Sequence, residues 1–305
     1  MEKIIEVDSL VKTYKTLTAV KGISFFVNKG EIFGLLGPNG AGKTTTLEIM
    51  EGLKKQTSGF VKILGLDNLK QTDEVKKKIG IQLQESGFLP NLTVRELLEL
   101  FASLYQQHEN LDQLLQVTNL TAKQNEYADS LSGGQKQRLS LALALCHKPE
   151  IIFLDEPTTG LDPQARRNLW QMIKEVNHKG TTVVLTTHYM EEAEYLCHRV
   201  GIIDEGKILE IDEPAKLIDN LSKTTQVSFL TDKKLEETFL ASLPDVTKVY
   251  NNFPKIVLEI NSLTFVGDIA EKLKESKIPF FGFTVKTASL EDVYLDLTGK
   301  EFEDA

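Results

Sequence analysis

The octapeptide at residues 37–44, Gly-Pro-Asn-Gly-Ala-Gly-Lys-Thr, constrains the fold of this 305-residue chain more than any other feature. It matches the phosphate-binding loop pattern, in which glycines allow backbone N–H groups to surround the β- and γ-phosphates of a nucleotide. An apolar run at 32–36 precedes the loop and a helix-like run at 44–50 follows it. This strand–loop–helix context aims a helix N-terminus at the anion, so the chain is predicted to bind a nucleotide.

Two side chains of the loop carry specific chemistry. Lys43 places a point charge on the phosphates, and the Thr44 hydroxyl is a ligand for Mg²⁺. The loop residues predicted to contact the nucleotide are Gly37, Pro38, Asn39, Gly40, Ala41, Gly42, Lys43, Thr44 and Thr45.

A pair of carboxylates follows the apolar strand at 151–154. Asp155 is placed to hold Mg²⁺, partly through water, because this ion keeps part of its hydration shell. Glu156 comes one residue later and is predicted to polarise the water that attacks the γ-phosphate. In isolation such a pair is more often a solvated strand end, but the phosphate-binding loop upstream favours the catalytic interpretation.

A second glycine-rich segment, Leu-Ser-Gly-Gly-Gln at 131–135, opens a predicted helix. Backbone donors and a helix dipole again face an anion. One nucleotide does not need two such sites from one chain, so the segment is predicted to contact the γ-phosphate held by a partner subunit. The alternative is an ordinary serine N-cap followed by glycine. The residues concerned are Ser132, Gly133, Gly134 and Gln135.

The order of predicted elements indicates two domains, 1–220 and 221–305. The first thirty residues predict antiparallel strands, and strands then alternate with helices, which favours a largely parallel sheet. Residues 91–147 predict an inserted helical subdomain, beginning with a capping box at Thr93 and Glu96. Residues 221–305 predict a βαββαβ order plus a final helix, typical of a small ferredoxin-like α+β module, with the first helix of this order at 233–243.

Composition excludes several function classes. No apolar run is long enough to cross a bilayer, and no cleavable signal opens the chain, so a cytosolic location is expected. A net charge of −9 argues against nucleic acid as a partner. Cys146 and Cys197 have apolar neighbours and are predicted to be buried thiols rather than a disulfide or metal site.

Residues 1 to about 220 resemble the nucleotide-binding subunit of an ATP-binding cassette (ABC) transporter. The resemblance implies a RecA-like parallel-sheet ATPase core with antiparallel β and helical subdomains, ATP and Mg²⁺ as cofactors, and a homodimer. Tyr14 resembles the aromatic residue that stacks on adenine, with a half-buried strand aromatic as the alternative. Gln84, selected over Gln82 by the frame Ile-Gly-x-x-x-Gln, resembles the glutamine that reaches Mg²⁺.

Two further motifs carry the same resemblance. Asp162, in Gly-Leu-Asp, resembles the D-loop carboxylate that touches the opposing subunit, and His188 resembles the switch histidine that contacts the γ-phosphate. The resemblance therefore implies a catalytic set formed by Lys43, Gln84, Glu156 and His188. It also implies that Thr44, Gln84 and Asp155 hold the metal.

The last predicted helix, within 289–299, resembles the ending of subunits that serve ABC-2 type permeases, often exporters. The alternative is an amphipathic helix packing on its own small domain. The resemblance implies an ATPase motor, peripheral on the inner face of the cell membrane, for a separately encoded permease. Residues 85–90 are expected to dock that permease, although Phe88 and Leu89 could instead pack a subdomain hinge.

The rival function is a soluble ABC ATPase of the repair or translation type. Repair members need long coiled-coil insertions, and only 87 residues, 44 to 130, separate the loop from the second glycine-rich segment. Translation members carry two cassettes in one chain, whereas this chain has one. A regulatory cassette with a dead site is disfavoured because every motif is intact, so transport is the predicted function.

Overall fold

The computed structural model describes residues 2–82, 87–105, 107–221 and 225–300. The chain divides into two compact units, the first running to Pro214 and the second beginning at Ala215. The strands are β1 Lys3–Tyr14, β2 Leu17–Asn28, β3 Ile32–Leu36, β4 Ser58–Ile63, β5 Leu66–Asp67, β6 Ile79–Gln82, β7 Ile151–Asp155, β8 Thr182–Thr187, β9 Arg199–Asp204, β10 Lys207–Asp212, β11 Thr225–Leu230, β12 Val246–Asn252, β13 Lys255–Ile260 and β14 Phe281–Lys286.

The helices alternate with these strands through most of the chain. They are α1 Lys43–Met50, α2 Thr72–Lys76, α3 Val94–Ser103, α4 Leu111–Val117, α5 Gly133–Leu145, α6 Pro163–His178, α7 Met190–Leu196, α8 Pro214–Asp219, α9 Glu237–Ala241, α10 Val266–Glu275 and α11 Leu290–Thr298. Across the described ranges, no helix is both long and apolar enough to cross a bilayer.

The core of the first unit is a six-stranded sheet in the order β10-β9-β3-β8-β7-β6. Strands β6, β7, β8, β3 and β9 run parallel, and β10 pairs antiparallel with β9. Every residue of β3, β7 and β8 is buried. Continuous burial of this kind is typical of parallel strands covered on both faces. The predicted parallel ATPase core is confirmed.

A second sheet, in the order β2-β1-β4-β5, is antiparallel, as the first thirty residues predicted. The predicted helical subdomain contains α3, α4 and α5. Thr93 caps α3 with the expected capping box to Glu96. Both cysteines are buried free thiols, as their apolar neighbours indicated.

The second unit contains a four-stranded antiparallel sheet in the order β12-β13-β11-β14. With α9 and α10 in the βαββαβ order, this is the ferredoxin-like arrangement that the sequence predicted. The helix predicted at 233–243 is wrong in extent, because α9 forms only five residues. The Lys233 N–H donates to the Thr231 hydroxyl and the Leu235 carbonyl accepts from Asn251, so these residues are held in an irregular, non-helical conformation.

Candidate nucleotide-binding site

The predicted functional residues follow neighbouring strands at one edge of the parallel sheet. Leu36 of β3 lies opposite Thr187 of β8, and Asp155 of β7 lies opposite Thr186. The phosphate-binding loop therefore leaves the sheet beside His188. Ligands of open α/β sheets bind at this carboxyl edge.

The loop has the close backbone approach that only glycine permits. A Cβ on Gly37 would lie 2.1 Å from the Ile203 carbonyl oxygen. Gly42 has φ 102°, in the left-handed region, and is the N-cap of α1. Lys43 is the first residue of that helix, and its Nζ donates to the carbonyl oxygens of Gly37 at 2.8 Å and Pro38 at 3.1 Å. The ammonium group is thus held over the loop.

Glu156 lies between two basic side chains. Its Oε1 is 3.3 Å from Lys43 Nζ, and its Oε2 is 3.1 Å from His188 Nδ1. All three residues are buried, each with an exposed fraction of 4–6%. Burial raises the pKa of Glu156, but Lys43 and His188 outweigh this effect, so the pKa is lowered overall. Burial lowers the pKa of Lys43 despite the charge of Glu156. The carboxylate is therefore ionised and available as a proton acceptor.

Glu156 also has an uncommon backbone conformation. Its φ is 45°, a region that residues with a side chain rarely occupy. The Glu156 N–H donates to Thr186 Oγ1 at 3.0 Å, and Thr159 Oγ1 donates to the carboxylate at 3.2 Å. Strained backbone of this kind persists where the surroundings over-determine it, as at functional sites.

Asp155 accepts hydrogen bonds from two hydroxyl groups. Thr44 Oγ1 donates to Asp155 Oδ1 at 3.1 Å, and Thr186 Oγ1 donates to the same oxygen. Burial raises the pKa of Asp155, against the opposing effect of both hydrogen bonds. Hydroxyl and carboxylate oxygens are hard donors of the kind that Mg²⁺ prefers. Thr44 and Asp155 therefore fit a magnesium site beside the loop.

A cavity of about 390 Å³ lies beside the phosphate-binding loop and Glu156, and its described lining does not include Asp155 or His188. Tyr14 lies at its edge with 37% of its surface exposed, and Lys12 Nζ is 4.8 Å from the centre of the tyrosine ring. The residues that line the cavity are Tyr14, Leu17, Ala19, Asn39, Gly40, Gly42, Lys43, Thr44, Thr45 and Glu156. The structure thus brings Tyr14, the loop and Glu156 to one concave surface.

The second glycine-rich segment does not join this surface. Residues 132–135 are absent from the described lining of the cavity. Ser132 is exposed and caps α5, with its side chain accepting from the Gln135 N–H in a capping box. Asp162 is also exposed and caps α6 through Ala165 N at 2.8 Å. Ser132 is thus an N-cap, as the alternative interpretation of that segment expected, and both residues are exposed at a helix N-terminus.

The predicted magnesium-binding glutamine, Gln84, is not among the residues that the structure describes. Glu85 and Ser86 of the expected docking segment also lie outside the described residues. Gln82 is buried and donates through Nε2 to Gln137 Oε1 of α5 at 2.7 Å. That bond is consistent with a packing role for Gln82.

Sequence reasoning gave no role to Thr186, Thr159, Leu17 or Ala19. Thr186 contacts both carboxylate residues, as described above. The signal that could have found it is strand adjacency, since Thr186 and Asp155 each end an apolar run of the predicted sheet. The pairing of those two strands, however, is decided by long-range contacts.

Comparison with known proteins extends the similarity to the whole chain. A family described as ABC transporter matches residues 20–159. The linearmycin resistance ATP-binding protein LnrL of Bacillus subtilis is 36% identical, covering 99% of this chain and 100% of that protein. The Nod factor export ATP-binding protein I of Paraburkholderia xenovorans is 36% identical, with 99% of each chain covered.

A solved structure shares the fold. The dimeric, post-hydrolysis structure of the ATP-binding cassette MJ0796, bound to ADP and Pi, has a TM-score of 0.62 and 29% identity. It covers 68% of this chain and 98% of its own. The two curated relatives, by contrast, match the chain across both of its compact units.

Proposed function

This chain belongs to the ABC transporter family, and we propose that it is the ATP-hydrolysing motor of an ABC-2 type exporter with a separately encoded permease. One observation carries the catalytic assignment. The Glu156 carboxylate is held between Lys43 and His188, beside the cavity that the phosphate-binding loop lines. A soluble repair or translation ATPase is not favoured, because the relatives that match the whole chain are named for resistance and export.

The side chains divide the work of hydrolysis. Lys43 binds the β- and γ-phosphates, and Glu156 accepts the proton of the attacking water. His188 neighbours Glu156 and contacts the γ-phosphate. Tyr14 stacks on adenine, a contact worth about 1–3 kcal/mol. Thr44 and Asp155 would hold Mg²⁺, together with Gln84, and the ion would supply positive charge to the phosphate oxygens when bound.

The catalytic role of Glu156 is tested by Glu156→Gln in the purified full chain. General-base catalysis contributes about 10²- to 10⁴-fold, so turnover should fall by that factor while ATP binding persists. The variant should accumulate as an ATP-bound dimer in size-exclusion chromatography. Glu175→Gln, at an exposed site on α6, is the matched control. Wild-type turnover by Glu156→Gln would remove the assignment.

Two chains are proposed to form each complete site. Ser132 and Asp162 cap exposed helix N-termini that lie outside the described cavity lining, so they are available to a second copy. In a two-fold dimer, Lys43 of one chain and Ser132 of the other would contact one nucleotide. The relative MJ0796 is described as a dimer with ADP and Pi.

A mixing experiment tests shared sites. Equal amounts of a Lys43→Ala chain and a Ser132→Arg chain should form heterodimers with one complete site each. The mixture should then hydrolyse more ATP than either parent at saturating nucleotide. Activity no higher than that of the parents would contradict the shared-site arrangement.

The permease is proposed to bind near the segment that follows Gln84. Phe88 is half-buried and Leu89 is 50% exposed. Both line an apolar groove of about 420 Å³ that also contains Leu97, Phe101 and Leu143. A short cytoplasmic helix of the permease would insert there, so that closure of two ATP-bound subunits moves two such helices together. Docking on the permease would keep the chain at the inner face of the membrane.

A further inference from the structure

Glu192 is a buried carboxylate on α7 that lies outside the described lining of the nucleotide cavity. It is 0% exposed. Its Oε1 accepts two hydrogen bonds of 2.8 Å, one from Thr158 Oγ1 and one from Trp170 Nε1. A buried carboxylate is costly unless it is hydrogen-bonded, so these bonds are strongly favoured over their loss.

The groups around Glu192 come from three separate segments. Thr158 lies two residues after Glu156, in the segment that leads to Asp162. Trp170 lies on α6, the helix that Asp162 caps. Glu192 itself follows His188 on the next helix. The carboxylate therefore joins the segment after Glu156 to the segment after His188.

A second contact links α6 to the His188 segment independently. The Arg166 guanidinium lies 4.3 Å from the centre of the Tyr189 ring, and that ring lies 4.1 Å from the His188 ring. The Tyr189 N–H donates to Thr187 Oγ1 at 2.9 Å, which fixes the turn that carries His188. Two contacts, one at Tyr189 and one at Glu192, thus hold α6 to the segment that follows His188.

We propose that Glu192 is a positioning residue for ATP hydrolysis, fixing the segment that carries Glu156 relative to the segment that carries His188. The inference rests on the proposed roles of those two residues. Moving either segment alone would leave the Thr158 hydroxyl, the Trp170 N–H or the carboxylate buried and unpaired. The arrangement keeps the proton acceptor and the histidine in register, and it connects both to the helix behind Asp162.

Steady-state kinetics of the full chain separate positioning from binding. Thr158→Val removes one donor with little change of shape, and Glu192→Ala removes the acceptor. Because a misplacement of about 1 Å can cost about 100-fold in rate, we expect kcat to fall about tenfold for Thr158→Val and about 100-fold for Glu192→Ala. KM for ATP should stay within about twofold, since Tyr14 and the loop are untouched.

Two further variants serve as rescue and control. The amide oxygen of Glu192→Gln can accept from both donors, so kcat should return to within about threefold of wild type. Glu191→Gln changes the neighbouring exposed carboxylate of the same helix and should behave as wild type.

Trp170 gives a direct spectroscopic readout because it is the single tryptophan of the chain. Loss of its hydrogen-bond acceptor in Glu192→Ala should shift the emission maximum. Glu192→Gln and Thr158→Val should retain the wild-type maximum, because both keep an acceptor for the indole N–H. If Glu192→Ala does not fold, Thr158→Val still tests the proposal through kcat alone.

The outcomes distinguish this inference from the proposed function. Wild-type kcat in Thr158→Val and Glu192→Ala would overturn the positioning role. A loss of kcat that only matches the loss of folded protein would also overturn it. If Glu156→Gln is inactive while both of these variants turn over normally, only the inference about Glu192 fails. If Glu156→Gln itself turns over normally, the proposed catalytic role fails first.

Discussion

Glu51 provides a quantitative test of the electrostatics beneath the nucleotide site. It is the C-cap of α1 and is 1% exposed, and among the described residues neither carboxylate oxygen has a hydrogen-bond partner. Burial, together with the negative charges of Asp155 and Glu48, raises the pKa of Glu51 from an ordinary 4.5 to about 8. A carboxylate at a helix C-terminus also faces the negative end of the helix dipole.

The magnitude follows from this pKa. Above pH 4.5 the unfolded chain loses the Glu51 proton, whereas the folded chain keeps it to about pH 8. Unfolding therefore releases a proton in this window, and the stability of the folded chain falls as pH rises. At about 1.4 kcal/mol per pKa unit, the loss across the whole window is about 5 kcal/mol, and between pH 6 and pH 8, where the folded group is half ionised, it is about 2 kcal/mol.

The assay compares wild type with Glu51→Gln by urea unfolding at pH 6 and pH 8, followed by the emission of Trp170 in the first unit. The amide is uncharged at both pH values and nearly matches the protonated acid in shape. The variant should therefore gain about 2 kcal/mol over wild type between the two pH values. Glu6→Gln, an exposed site on β1, should stay within about 0.5 kcal/mol of wild type at both. An equal difference between wild type and Glu51→Gln at pH 6 and pH 8 would refute the reasoning.

Two other predictions concern binding. Lys43→Ala should weaken ATP binding at least about tenfold, because it removes a charge-assisted contact to the phosphates, and titration with a fluorescent ATP analogue measures this. Unchanged affinity would contradict the loop assignment. Phe88→Asp should leave the isolated chain folded and hydrolysing ATP but unable to co-purify with its permease. Leu104→Asp, exposed and outside the groove, is the control. Unchanged co-purification of Phe88→Asp would place docking elsewhere, and loss of folding would support the hinge-packing alternative.

The elements that the sequence predicted well are those with strong local signals. The parallel core was visible because β3, β7 and β8 are built around short apolar runs, at 32–36, 151–154 and 183–185, which are typical of fully buried strands. The small second unit was visible because its strands and helices alternate in a recognised order. The helix predicted at 233–243 was too long, because the Leu235 carbonyl accepts a hydrogen bond from Asn251, 16 residues away, and no local pattern reports such a bond.

The residues of the candidate site also differ in whether local sequence patterns or long-range contacts identify them. Lys43, Asp155 and Glu156 could be found because glycine spacing and strand ends are written in contiguous residues. Glu192 could not, because it lies 34 residues from Thr158 and 22 from Trp170, and on a helix its residue type reads as an ordinary surface acid. The motifs identify residues that are proposed to contact the nucleotide, whereas the groups that would keep those residues in register come from distant segments. Substitutions at Thr158 and Glu192 therefore leave Glu156 and His188 in the chain and test whether hydrolysis also depends on their relative position.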